Sequence, residues 1–271
     1  RLFGSDRISK LMDRMGIGDG EVIQHSMITK SIERAQRKVE ENNFGIRKRL
    51  LEYDDVMNSQ REVIYSKRRH ALYGERIGVD ILNMMYDVCE SLTEQYHGEI
   101  LFSDFQNELF RVLSIEAPFS EADYNKWNKI DIIEALQQKL IETHDSRCDI
   151  IAKQAFPVIK QIYETHSKVY ENVVVPISDG TKVYQILTNL KKAYETEGQE
   201  LVRSYEKSTI LATIDENWKE HLRELDDLKQ SVQNASYEQK DPLLIYKFES
   251  FELFKTMVDK INKDVVATLM K

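Results

Sequence analysis

The side chains with the widest chemical reach in this sequence are six histidines, two cysteines and a short acidic run. Their spacing decides what each can do. His25, His70, His97, His144, His166 and His221 occur singly, and no two stand four residues apart as a helical zinc-binding histidine pair requires. Cys89 and Cys148 lack CxxC spacing. They are read as reduced thiols of a cytosolic protein, with no histidine assigned to either and no metal or redox role. His221, in "NWKEHL", stands one helical turn from Trp218 and is read as a packed scaffold histidine in preference to a general base. "EYDDV" at 52–56 has the acidity of a magnesium-holding strand end but no apolar strand before it. A nucleotide site needs a GxxxxGK[ST] loop whose backbone amides wrap the phosphates, and that pattern does not occur. No nucleophile elbow marks a serine or cysteine, although a triad assembled in three dimensions stays open at this level.

Binding is the better prospect. "SVQNASYEQKDP", 231–242, breaks the apolar period on either side of it, ends in a proline and carries one large side chain, Tyr237. An aromatic ring at the tip of a polar loop is a contact device. The basic cluster "SKRRH" at 66–70 suits a helix C-terminus as well as it suits an acidic partner. Phe248, Phe251 and Phe254 are read as core in preference to a peptide groove.

These residues must be positioned by helices. Glycine and proline are sparse, ten and four in 271 residues, while 41% of the chain is hydrophobic and 31% charged, a profile of long helices with narrow apolar stripes. Net charge is -8 and the isoelectric point near 5.4, which opposes nucleic-acid binding and a polybasic membrane tether. No apolar run reaches membrane-spanning length and no signal peptide opens the chain. The start at "RLFGSDR", without Met, is read as the middle of a longer protein.

From Met27 to about Leu72, Ile28, Ile32, Ala35, Val39, Ile46, Leu50, Tyr53, Met57 and Ile64 recur in steps of three and four around a single glycine, Gly45. That pattern predicts one helix roughly 65–70 Å long. Residues 77–170 predict several shorter helices, with Ser120 as an N-cap and Pro157 kinking or dividing the last. "NVVVPISDGTKVYQI" predicts a β-hairpin over about 173–186, turning at Asp179-Gly180, with Pro176 on an edge. Leu211, Ile214, Trp218, Leu222, Leu225, Leu228 and Val232 line one helix, and Phe248, Phe251, Val258, Ile261, Val265 and Leu269 a second. Together they predict an antiparallel helical hairpin. The fold class is mainly α.

Three stretches resemble one family. "KSIERAQRKVEENNFGIRKRLLEYDDVMNSQREVIYSKR" resembles the start of the long scaffold helix of SecA, the ATP-driven motor of preprotein translocation. "TIDENWKEHLRELDDLKQSV…YEQKDPLLIYKFESFELFKTMV" resembles its two-helix finger, and "LFGSDRISKLMDRMG" the tail of its second nucleotide-binding domain. The resemblance implies a remnant of that domain over 1–26, a scaffold helix over 27–74, a helical wing over 75–195 and a scaffold return with finger over 196–271. It implies no catalytic, cofactor or metal site in this chain, with ATP and Mg²⁺ belonging to a motor upstream. The implied partners are the SecYEG channel, unfolded preproteins, the upstream nucleotide-binding domains and a second copy in a homodimer. The implied location is the cytoplasmic face of the bacterial inner membrane.

By the same resemblance, Tyr237 is the fingertip residue that contacts the moving polypeptide. Arg47, Asp54 and Trp218 are candidates for the interface that couples motor and finger. Two departures stand out. "SVQNASY" replaces a basic stretch such as "GIHLRGY", keeping the tyrosine and losing the arginine and glycine, and Gly45 replaces an aspartate in "NFDIRK". The hairpin near 173–186 is expected to be a lineage-specific insertion. The rival readings are a freestanding helical scaffold or chaperone-like binding module, and an enzyme active on its own.

Overall fold

Helical periodicity governs this chain because few residues interrupt it, and the structure, a computed structural model, follows that periodicity through the residues it describes. Those are 26–74, 76–166, 169–178, 183–232 and 241–271. The expected helix within 1–20, the Asp179-Gly180 turn and Tyr237 lie outside them.

Helix α1 runs Ser26–Tyr73, 48 residues without a break. The chain divides into two compact units, Arg1–Asn58 and Ser59–Lys271, and the apolar stripe of α1 fares differently in each. In the first unit Ile32, Ile46 and Leu50 are exposed, while Ala35, Val39, Tyr53 and Met57 are half-buried. In the second, Ile64 and Ala71 are each 1% exposed and belong to the core. Spacing foretold the stripe but not that, within the first unit, its described residues stay exposed or only half-buried.

The second unit has one continuous core. Helix α2 (Ile77–Tyr96) is followed by α3 (Phe102–Leu113) and the short α4 (Glu121–Tyr124). The expected cap is present: the Ser120 hydroxyl accepts from the Asp123 amide while the Asp123 carboxylate accepts from the Ser120 amide. Phe105, Phe119 and Tyr124 pack ring on ring beneath this turn.

Helix α5, Lys129–His166, runs on through Pro157, so of the expected kink or division the division does not occur. Pro157 is exposed, and the carbonyl that loses its donor, that of Lys153, lies on an exposed residue. Water can satisfy it while buried Ala152 and Ile159 hold the helix to the core.

Strands β1 (Asn172–Ser178) and β2 (Val183–Asn189) form a two-stranded antiparallel sheet. Val173, Val175 and Ile177 lie opposite Thr188, Ile186 and Tyr184, and this face turns inward. Pro176 lies opposite Gln185 in a sheet where both strands are edges, so it displaces no third strand.

Helix α6 (Leu190–Glu195) leads to α7 (Gln199–Ser231), and α8 covers Pro242–Leu269. Asp241 caps α8 by accepting from the Leu243 amide, and Pro242 occupies the first turn, where its missing N–H has no cost. Tyr205, early in α7, donates to the Thr268 carbonyl, late in α8. His221 and Phe254 meet farther along, with ring centroids 5.8 Å apart, so the two helices run antiparallel as expected.

The α6–α7 corner depends on Gly198. Its φ is +93°, and a Cβ there would stand 2.8 Å from the Ala152 carbonyl oxygen of α5. Gly198→Ala is therefore expected to destabilise the fold by about 2 kcal/mol or more. Gly45, in mid-helix, is the opposite case, since a methyl group placed there would meet nothing within 4 Å. Gly45→Ala is expected to stabilise α1 by about 1 kcal/mol. Thermal unfolding followed by circular dichroism separates the two, and a Gly198→Ala variant that melts with the wild type would refute the strained corner.

Candidate functional site

Where α1, α7 and α8 meet in the second unit, a buried polar chain joins them. Gln60 sits on the α1 stripe between Met57 and Ile64, at a position the apolar period reserves for a core residue. Its Nε2 donates to the Ser250 carbonyl on α8 at 3.0 Å. Its Oε1 accepts from Nε2 of His221 on α7 at 2.9 Å. All three residues are buried. This arrangement puts a proton on His221 Nε2, while Nδ1 is buried without a hydrogen-bond partner, 3.9 Å from a carboxylate oxygen of Glu224. Burial drives the His221 pKa down from 6.5 to about 4, since a charge here would lose its hydration. The ring packs between Trp218 and Phe254, so the reading of His221 as a packed scaffold residue holds.

Trp218, the coupling candidate of α7, is thus part of this junction and nearly buried. Arg47 is exposed and Asp54 half-buried, both on the α1 segment of the first unit. Tyr237 lies outside the described residues. Arg68, from the basic cluster, forks onto Asp215 of α7, donating from Nε at 2.7 Å and Nη2 at 3.0 Å. This arginine is therefore committed within the second unit.

The expectation for the phenylalanines needs correction. Phe248 and Phe251 are 68% and 61% exposed, and Leu244 is 54% exposed. They form an i, i+4, i+7 stripe on the side of α8 opposite buried Tyr246, Ser250 and Met257. Phe254 alone turns partly inward, against His221. Helical period alone could not decide which of the two apolar faces of α8 would find partners.

Cys148 is a free thiol as expected, but the expectation that no histidine stands beside it is corrected. His144 stands one turn before it on α5, an i, i+4 pair visible in the sequence once mixed donor types are considered. Glu206 of α7 completes the cluster. His144 Nε2 lies 3.3 Å from Glu206 Oε1 and 3.5 Å from Cys148 Sγ. Burial pushes the His144 pKa down, but hydrogen bonds and charge from Cys148 and Glu206 outweigh it and raise the imidazole to about 10. Cys89, fully buried in α2, has its thiol pushed up to about 12 by burial alone and is inert by comparison.

Among the described residues no helix is long and apolar enough to cross a membrane. A family model described as the SecA Wing and Scaffold domain matches residues 22–271. A protein translocase subunit SecA of Christiangramia forsetii is 56% identical over all 271 residues. Subunits of the same name from Parabacteroides distasonis and Flavobacterium psychrophilum are 54% and 55% identical over the same length. The chain spans 24% of the length of each of these relatives.

The junction generates a pH prediction. Folded His221 resists protonation down to about pH 4, while in the unfolded chain it titrates near 6.5. Its contribution is full above about pH 6.5 and is lost as pH falls toward 4, because the unfolded state then binds the extra proton. Denaturant unfolding at pH 7.5 and 4.5 should show the wild type losing up to about 3 kcal/mol more than His221→Gln, which keeps a donor for Gln60 but does not titrate. Equal losses would refute the neutral buried imidazole.

Proposed function

The chain belongs to the SecA wing and scaffold family, and from that premise we propose that it is the helical scaffold, wing and two-helix finger part of a protein translocase. In this role it couples ATP hydrolysis by nucleotide-binding domains elsewhere in the longer protein to passage of unfolded preproteins through a SecYEG-type channel. ATP and Mg²⁺ belong to those domains, and this part carries no reaction of its own. It works on the cytoplasmic face of the membrane as a peripheral component.

The observation that carries this reading is the brace at the α1–α7–α8 junction. A helical hairpin can act as a lever only if its base is fixed, and the Gln60 relay to His221 and Ser250 fixes it. The loop between α7 and α8 bears Tyr237, and the end of α8 nearest that loop presents Leu244, Phe248 and Phe251 to other molecules. An unfolded polypeptide offers varied side chains, so a contact that is apolar but tolerant of water, as a tyrosine ring is, suits it. The open stripe of α1 in the first unit supports the scaffold role, since Ile46 and Leu50 are surfaces for further parts of the longer protein to rest on. Arg47 and Asp54 border that stripe and belong to the coupling surface in this reading, and Trp218 acts through the junction.

The test is a photo-crosslinker at position 237 of the full-length protein, with a control at Glu238, during stalled translocation. Strong crosslinks from 237 to the substrate, and weak ones from 238, are expected. Crosslinks from 237 confined to the protein itself would make the loop packed structure and remove the finger mechanism.

A further inference from the structure

We propose that His144, Cys148 and Glu206 form a binding site for Zn²⁺ that clips α5 to α7, with the fourth coordination position left to water. The inference is independent of the translocation reading. One turn of α5 sets His144 and Cys148 on the same face, toward α7, where Glu206 presents its carboxylate. Two of the three spacings match those of a metal site, and all three donor atoms lie within 4.8 Å of one another. A tetrahedral zinc with bonds of about 2.0 Å to nitrogen and oxygen and about 2.3 Å to sulfur holds nitrogen about 3.3 Å from oxygen and about 3.5 Å from sulfur. Here Nε2 of His144 is 3.3 Å from Glu206 Oε1 and 3.5 Å from Cys148 Sγ. The sulfur is also 3.8 Å from Nδ1, so it sits beside the edge of the ring that joins the two nitrogens.

The same distances argue against a cysteine nucleophile. A catalytic thiol and its orienting acid use opposite ring nitrogens, whereas here the carboxylate and the sulfur both lie nearest Nε2. Nδ1 lies 3.7 Å from a carboxylate oxygen of Asp145, which is 76% exposed. Charge does not oppose the metal. Zinc with one thiolate, one carboxylate and a neutral imidazole is neutral overall, which suits donors this sheltered: the side chains of His144 and Glu206 are 11% and 12% exposed. In binding, the metal replaces the protons on Cys148 and on His144 Nε2, and no bond to carbon changes. Thiolate and imidazole select zinc over magnesium or calcium, which prefer oxygen.

The test reads Cys148 directly, so other metal sites in the full-length protein do not interfere. The metal is removed by chelation, Zn²⁺ or Mg²⁺ is added back at about 10 µM, and the alkylation rate of each cysteine is followed by peptide mass spectrometry. Zn²⁺ is expected to slow alkylation of Cys148 by about tenfold or more, with no effect of Mg²⁺ and no change at Cys89. Glu206→Gln and His144→Gln are each expected to shift protection to about tenfold higher Zn²⁺. Cys148 alkylated at one rate with and without Zn²⁺ would overturn the site, as would full protection in both variants. If His144→Gln fails to fold, Glu206→Gln, which keeps the shape of its side chain, decides alone.

Discussion

A single buried amide, Gln60, fixes the register of three helices. Its donor and acceptor ends are both used, one on the Ser250 carbonyl of α8 and the other on the His221 ring of α7. Apolar stripes slide past one another at modest cost, because one buried leucine substitutes well for the next. A relay of this kind has one solution. Sliding any of the three helices by a turn leaves buried polar atoms without partners, at about 1–3 kcal/mol each. The relay also sets the tautomer of His221, and the packing of Trp218 and Phe254 follows from where that ring must lie.

Much of this was legible in the sequence, and the gaps have physical causes. The elements followed from period and punctuation: α1 within a residue or two, the Ser120 cap, the hairpin around Pro176, the antiparallel pairing of α7 and α8. Burial was less legible, since period says that a face is apolar but not whether anything covers it. Ile46 and Leu50 on α1, and Phe248 and Phe251 on α8, are exposed for that reason. Pro157 does not divide α5 because its cost depends on which way the freed carbonyl faces. The sites divide in the same manner. Gln60 was detectable as a polar residue on an apolar stripe, and His144 with Cys148 as a mixed donor pair at four-residue spacing. Glu206, some sixty positions from either, could be supplied only by the fold.

Helix α7 is where the second unit is gathered. Ser204 donates to Thr188 of β2, Tyr205 bonds to α8 and Glu206 faces α5. Farther along, Asp215 accepts from Arg68 and His221 donates to Gln60. From Glu206 to His221 is about 22 Å along the helix axis, so one rigid element carries attachments to β2, α5, α1 and α8. A cation bound at Glu206 would tighten the attachment to α5 at one end of this span without touching the polar relay at the other.

The two faces of α8 then have separate tasks. Its inner face, with Tyr246, Ser250, Met257 and Ile261, is immobilised by the core and by the bond from Gln60. Its outer face carries Leu244, Phe248 and Phe251 in the open. Single exposed hydrophobes are ordinary, but three in one stripe on a helix whose back is locked form a preorganised apolar surface. Such a surface binds without first having to be ordered, so the entropy that a mobile loop would lose on contact has already been spent in folding. The rigid backing of α8 therefore holds its exposed aromatic residues in one arrangement, whatever meets them.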